Sequence, residues 1–351
     1  MANIRIENVK IAGVSAAVPK RVVENSESPL FTPEELEKLF ESVGIERRHC
    51  VEEGMTTADL CEAAAEKLLM DMKVEKSSID ALVLVTQTPD FRNPATAVIL
   101  QDKLGLPNST LAFDVALGCS GYVYGLYVVS SLVSAGKIKN ALLLVGDTAS
   151  LTSSPLDKSR NLLFGDGGSA TLLQFDATAA PMHFDLGSDG SGYQAIYTPH
   201  SGFRHRPTPE SYEMIDYGDG IVRAKVHSWL DGMEVFGFGI SRAPKTVKSL
   251  AADMGLDLNS VDYFLFHQAN KMMNDRIVSK LGIPEEKAPS NLRDFGNTSC
   301  ASIPLLIVTE LRKSECVDGR FVLCGFGVGL SWATACVDCK GLHVSELICV
   351  E

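Results

Sequence analysis

Apolar positions along the chain fall into two rhythms. Short, nearly continuous runs at 81–86, 111–117, 141–145, 170–175, 263–266, 320–323 and 331–337 have the length and composition of strands buried on both faces. Longer stretches at 57–72, 95–104, 119–135, 242–254 and 269–281 read as helices. Their alternation predicts an α/β architecture. The stretch after residue 119 is apolar on almost every side, so its helix belongs inside the molecule.

The pattern also repeats. Ser78-Ile-Asp-Ala-Leu-Val-Leu-Val leads through a helix to Leu104-Gly-Leu-Pro and then to Cys119. Ser260-Val-Asp-Tyr-Phe-Leu-Phe-His leads through a helix to Leu281-Gly-Ile-Pro and then to Asn297. Each series continues through a helix into another apolar strand, at Ala141 and at Phe321. The shared order predicts a duplicated α/β fold, with one half over 1–180 and the other over 181–351. One segment breaks the rhythm: 198–220 is rich in proline, glycine and polar residues. It reads as a surface loop, either a cover over an active site or a solvated insertion.

Composition narrows the class. The chain has 351 residues, 45% hydrophobic and 22% charged, too apolar for a disordered polypeptide. Acidic residues outnumber basic ones, 44 to 32, for a formal charge of −12. That balance argues against non-specific nucleic-acid binding, which depends on neutralising phosphates. No apolar run approaches the ~20 residues of a membrane span. Arg5, Glu7, Asn8 and Lys10 interrupt the first residues where a signal peptide would be uniformly apolar. The nine cysteines are scattered, and Cys336 and Cys339 form a C-x-x-C pair with no second pair at zinc-site spacing. A cytoplasmic protein with reduced thiols, no metal and no nucleic-acid or membrane partner is expected.

Three residues stand out chemically. Cys119 lies between a strand and the buried helix, where free N–H groups and the helix dipole would favour thiolate and pull its pKa below ~8.5. The same N–H groups could hold an oxyanion after acylation of the sulfur. His267 stands where the strand 263–266 runs into polar Gln268-Ala-Asn, the kind of strand end where functional groups collect. Asn297 occupies the repeat position that answers Cys119. Taken singly, each has an ordinary structural reading: core thiol, satisfied histidine, turn residue. The duplication lifts them together. The run Gly325-Phe-Gly-Val-Gly lacks the spacing of a dinucleotide or P-loop motif, and its glycines instead permit close backbone approach.

Gly118-Cys-Ser-Gly, His267-Gln-Ala-Asn, Gly296-Asn-Thr-Ser, Phe164-Gly-Asp-Gly and the closing Gly-Phe-Gly-x-Gly together resemble the β-ketoacyl-acyl-carrier-protein synthase III family of the thiolase superfamily. The resemblance runs from about residue 8 to 337. It implies a five-layered αβαβα thiolase-like fold, a homodimer, no cofactor, and Cys119, His267 and Asn297 as the catalytic triad. It further implies an oxyanion hole from the backbone N–H groups of Cys119 and Val328, the latter at a position usually glycine. The implied reaction is a Claisen condensation of an acyl thioester with malonyl-acyl-carrier protein, of the kind that serves fatty acid biosynthesis and lipid metabolism.

Departures from the family pattern point to a specialised relative. Members that use a coenzyme A primer stack its adenine between a Trp and an Arg and carry another Arg at the tunnel mouth. The matching positions here hold Lys38, Ser42 and Lys158, and an Arg usually following HQAN is Met272. A donor presented on a carrier protein fits these changes better. Lys271, Arg276 and Lys280 on the helix after HQAN are candidates for docking an acidic carrier, or are solvated helix charges. Two alternatives stay open. The acyl-Cys could pass its group to an alcohol, amine or other carbon nucleophile in secondary metabolism, or the chain could be a non-catalytic partner subunit.

Overall fold

The structure, a computed structural model, describes residues 2–312 and 316–351. The first half of the chain runs β1 (Val9–Pro19), α1 (Thr57–Asp71), β2 (Ala81–Val85), α2 (Thr96–Lys103), β3 (Leu111–Val115), α3 (Gly121–Ser134), β4 (Asn140–Asp147) and β5 (Gly167–Phe175). The second runs β6 (Met182–Ser188), α4 (Gly232–Met254), β7 (Tyr263–Phe266), α5 (Lys271–Leu281), α6 (Ser302–Leu306), β8 (Cys316–Gly327) and β9 (Ser331–Val344).

Strand pairing makes the repeat visible. In the first half the order is β3-β2-β4-β5-β1, with parallel pairs up to β4 and antiparallel pairs beyond it. In the second half β7-β8-β9-β6 follows the same order, parallel then twice antiparallel. A counterpart of β3 is missing among the described residues, and the chain between α5 and α6 takes no strand. The two sheets meet at a corner where His343 and Val344 pair with Gly13 and Val14. The expected join at 180–181 falls in the connection between β5 and β6.

Period-two alternation explains the layering, because successive strand residues face opposite sides. Leu82, Leu84, Leu142 and Leu144 pack outward beneath α1 and α2, with Leu68 and Leu100 in the same cluster. Their neighbours Val83, Val85, Leu143 and Val145 face inward onto Tyr122, Leu126 and Val129 of α3. Ile303 and Leu306 of α6 join that central cluster, as do Leu265 and Leu323 of the second sheet. Phe264, Phe266 and Val322 face the other way, onto Val247, Leu250 and Ile277 of α4 and α5. The result is five layers, αβαβα. Helix α3 is apolar all round because a sheet covers it on each side.

The Leu-Gly-x-Pro echo proves to be a helix stop. Gly105 and Gly282 both take left-handed φ, +64° and +67°, and the Gly282 N–H bonds back to Val278 at 3.0 Å. The proline two residues later cannot continue the helix.

Two differences from the sequence reading have local causes. Strands β1 and β6 open each sheet yet are poor in the β-branched and aromatic signal; β1 is dominated by Ala, Gly and Ser between its valines. Helix α4 begins at Gly232, ten residues before the expected start, because Asp231 caps it by accepting the Glu234 N–H. Glycines and the internal Pro244 hide those turns from a propensity reading. Pro244 has no N–H to offer Ile240, and Lys280 Nζ from α5 donates to that carbonyl instead, at 3.0 Å.

Segment 198–220 is organised rather than free. It contains a 3₁₀ turn, Pro209–Tyr212, and strand Ile215–Asp216, which pairs with Val222–Arg223. Arg223 pins it to the body through a buried ion pair with Asp157, 2.9 Å, and stacks 3.9 Å over Trp229. Among the described residues no helix is long and apolar enough to cross a membrane.

Candidate active site

A cavity of about 340 Å³ opens between the two sheet ends, and Cys119, His267 and Asn297 all line it. Thr198 and Ser201 of the long loop form part of its wall, so that loop covers the cavity.

Cys119 stands just before Ser120, the N-cap of α3. Strand β8 passes close over it. A Cβ on Gly325 would lie 2.7 Å from the Cys119 carbonyl oxygen, and one on Gly327 would lie 2.8 Å from its sulfur. Only glycine fits this approach, which brings the Val328 N–H and the residue's own N–H to donate to Sγ. Ser331 Oγ donates to the Val328 carbonyl at 2.7 Å and lies 2.7 Å from Ser120 Oγ, so the peptide at 328 is tied to the start of α3.

The expected depression of the Cys119 pKa is overturned. Burial pushes it up to about 11, and the nearby Asp147 carboxylate opposes ionisation further, against which the two N–H donors and the Ser299 hydroxyl act too weakly. Cys119 rests as a thiol.

His267 directly follows β7, its N–H donating to the Cys324 carbonyl at 2.8 Å. Its Nδ1 is 2.7 Å from the hydroxyl of Ser302, the first residue of α6, and its ring meets Phe326 edge-on at 5.7 Å. Burial lowers its pKa to about 3, against a weaker backbone hydrogen bond to Ser299. A neutral imidazole therefore faces the cavity and cannot pair with a thiolate as a cation. The rest of the HQAN motif is structural: Gln268 bonds the Phe266 carbonyl, and Asn270 caps α5 by accepting the Met273 N–H at 2.9 Å.

Asn297 is held on both sides. Its N–H donates to the Leu163 carbonyl at 2.9 Å, and its Oδ1 accepts the Ser299 N–H at 2.9 Å. With the oxygen engaged, the amide NH₂ is the group left for a ligand. Ser299 achieves this with φ of +52°, a strained value for a non-glycine residue.

Ser299 closes the Gly296-Asn-Thr-Ser stretch, whereas Asp147 and Arg160 carried no motif. Ser299 hydrogen bonds both Cys119 and Asp147 through its side chain. Asp147, fully buried, accepts from the Gln87 N–H at 2.6 Å and Thr86 Oγ1 at 2.9 Å, and desolvation raises its pKa. A polar residue closing the run Ala-Leu-Leu-Leu-Val-Gly at a strand end was the available signal. Arg160 also lines the cavity, from irregular chain between β4 and β5, where no periodicity flags it.

The docking candidates sit apart from the cavity wall. Lys271 pairs with Asp275 at 2.6 Å and packs on Gly44, Lys280 serves the Ile240 carbonyl, and Arg276 is exposed between them. At the positions where the resemblance implies adenine contacts, Lys38 pairs with Glu34 at 2.8 Å and Ser42 bonds the Lys38 carbonyl at 3.0 Å. Lys158 holds Glu35 at 2.9 Å. Met272 is half exposed. Among the described residues no cluster could hold a metal ion.

Fold and cavity together define a thiolase-like acyltransferase. Two family models, both described as 3-oxoacyl-[acyl-carrier-protein] synthase III, match residues 113–190 and, for the C-terminal part, 251–339. β-Ketoacyl-[acyl-carrier-protein] synthase III 2 of Streptomyces coelicolor is 33% identical over 335 residues, 94% of each chain. The crystal structure of a 3-oxoacyl-(acyl-carrier protein) synthase from Burkholderia xenovorans LB400 superimposes with a TM-score of 0.93 at 39% identity, covering 99% of both chains. A priming β-ketosynthase of a polyketide pathway matches at TM-score 0.83 and 25% identity, covering 96% of this chain and 98% of its own. The chain belongs to the 3-oxoacyl-[acyl-carrier-protein] synthase III family.

Proposed function

We propose that the protein condenses an acyl thioester with malonyl-acyl-carrier protein through an acyl-Cys119 intermediate. The supporting observation is the shared cavity: a thiol, a neutral imidazole and a carboxamide from three separated stretches all line it. The Cys119 sulfur attacks the primer thioester carbon; the carrier thiol leaves with the proton. Hydrogen bonds from His267 and Asn297 to the malonyl thioester oxygen stabilise the enolate formed as CO₂ departs. That carbon then attacks the acyl carbon, the C–S bond to Cys119 breaks, and the departing thiolate takes a proton from solvent to return as the thiol.

The N–H groups of Cys119 and Val328, already directed at the sulfur, form the oxyanion hole, in which one donor is worth roughly 2.7–4 kcal/mol. A neutral His267 suits this scheme, because one of its ring nitrogens still carries a proton to donate. The reaction transfers no electrons and needs no cofactor or metal. Carrier protein is read as the partner for both substrates: Lys38 is engaged by Glu34, and Lys158 is engaged by Glu35 and lies 5.1 Å over the Phe31 ring, so both cations already have protein partners. Lys271, Arg276 and Lys280 remain docking candidates. The enzyme is read as a cytoplasmic homodimer of two repeated halves joined near residue 180.

Intact-mass spectrometry after mixing with acyl-carrier protein tests the reading. A mass gain equal to the acyl group, absent in Cys119→Ala, followed by a 3-oxoacyl product once malonyl-carrier protein is added, is expected. No adduct with any acyl donor would refute it in favour of a non-catalytic subunit. An adduct discharged only to an alcohol or amine would move the activity to acyl transfer in secondary metabolism.

A further inference from the structure

The cavity holds a positive charge that the condensation chemistry does not use. Arg160 is 3% exposed and lines the cavity beside Cys119. Its guanidinium lies 4.5 Å over the Phe164 ring, and its Nε reaches Ser153 Oγ at 3.4 Å. Its Nη1 is buried with no hydrogen-bond partner among the described residues. The neighbouring carboxylate does not answer it. Asp157 is fully buried; its Oδ2 accepts from Arg223 Nη1 at 2.9 Å, and its Oδ1 accepts the N–H and hydroxyl of Ser159. Two guanidinium groups therefore share the Asp157 carboxylate, and the one acidic side chain among the described residues lining the cavity, Asp147, is bonded by Thr86, Gln87 and Cys300 rather than by Arg160. Burial lowers the Arg160 pKa to about 10, so the group stays charged at neutral pH.

A buried, unanswered guanidinium is costly, and the cost is recovered when an anion arrives. The rigid fork of Arg matches a carboxylate in a way that Lys does not. We propose that Arg160 binds the carboxylate of an acyl thioester within the cavity and makes the enzyme selective for a carboxylate-bearing acyl group. This rests on the acyl-transfer reading given above and adds a substrate class to it. The carboxylate has two sources, the far end of a dicarboxylic primer or the malonyl group of the extender.

The test measures binding to the Cys119→Ala protein, so that no acylation intervenes. Four pantetheine thioesters serve as probes in two matched pairs: succinyl against butyryl, and malonyl against acetyl. A charge-assisted hydrogen bond should favour the carboxylate member of one pair by roughly ten- to a hundredfold in Kd. Preference within the first pair assigns the contact to the primer; preference within the second assigns it to the extender. Adding Arg160→Leu should collapse the ratio towards one, and Arg160→Lys should retain part of it. Equal affinities in both pairs, or a ratio that survives in Arg160→Leu and Arg160→Lys alike, would overturn the proposal. Acylation of the unmutated enzyme by the same thioesters is scored separately by mass. Absence of any Cys119 adduct refutes acyl transfer, whereas the Kd ratio reports on Arg160 whatever that outcome.

Discussion

The two repeat-related turns, one entering α3 and the other entering α6, occupy matching places in the fold and were built for different work. At the first, glycines at 325 and 327 let a strand press against the turn, and the side chain presented is a thiol surrounded by backbone donors. At the second, side chains do the organising: Ser302 holds His267, and Ser299 holds Asn297 at the expense of a left-handed backbone. Duplication thus delivers two equivalent positions facing one cavity, and divergence places a thiol at one and a carboxamide at the other. A single turn offers either group. The condensation needs both at once.

That contrast breaks most sharply under substitution. Cys119→Ala should abolish the acyl adduct and all product. Asn297→Ala should leave self-acylation within a few-fold and depress malonyl decarboxylation by about 10²–10³, the value of one oxyanion-type donor. Intact mass reads the first step and released CO₂ the second. Loss of self-acylation together with decarboxylation in Asn297→Ala would mean that the two turns do not divide the labour.

Acid should test the same division through stability. His267 has a pKa near 6.5 when unfolded and about 3 in the fold. Between those values the unfolded chain binds a proton that the native protein does not, so stability falls as pH drops below about 6.5. Cys119 acts at the other end: its pKa rises from about 9 to about 11 on folding, so stability falls as pH climbs above 9. Urea unfolding at pH 7 and pH 4.5 should show a smaller acid loss in His267→Gln, by up to about 1.4 kcal/mol per pH unit for one proton. An acid limb as steep as in the parent would show that His267 is accessible to protons in the native state.

The sequence carried more of this arrangement than of its electrostatics. Strand ends are legible because apolar runs stop abruptly, as at Phe266 before His267, and the repeat pairs Cys119 with Asn297 without any structure. The five layers follow from which strands are apolar on both faces. Burial is another matter. The helix dipole and the free N–H groups at Cys119 are visible in the pattern and argue for a thiolate, but the desolvation that defeats them depends on β8 and the turn at Ser299 closing over the sulfur, which no local spacing reveals. Arg160 was unreadable for a related reason. It lies in irregular chain, and its importance comes from Asp157 being already taken by Arg223, a residue of the distant loop.

The smallest effect expected lies in the outer layer, where the halves again differ. Helix α2 of the first half and α5 of the second both end in Leu-Gly-x-Pro, but α5 lies against an α4 interrupted by Pro244. Lys280 repairs that interruption by donating to Ile240. Lys280→Met should therefore cost about 1 kcal/mol, the net worth of a hydrogen bond, in a denaturant titration. Pro244→Ala restores a helical N–H to the Ile240 carbonyl, so in that background the same Lys280→Met change should cost close to nothing. A cost that is the same in both backgrounds would leave Lys280 free of this role. A raised KM for the carrier protein with stability unchanged would return it to docking. Non-additivity between the two positions is the decisive reading, because a surface charge that serves only a partner has no reason to sense a proline on the neighbouring helix.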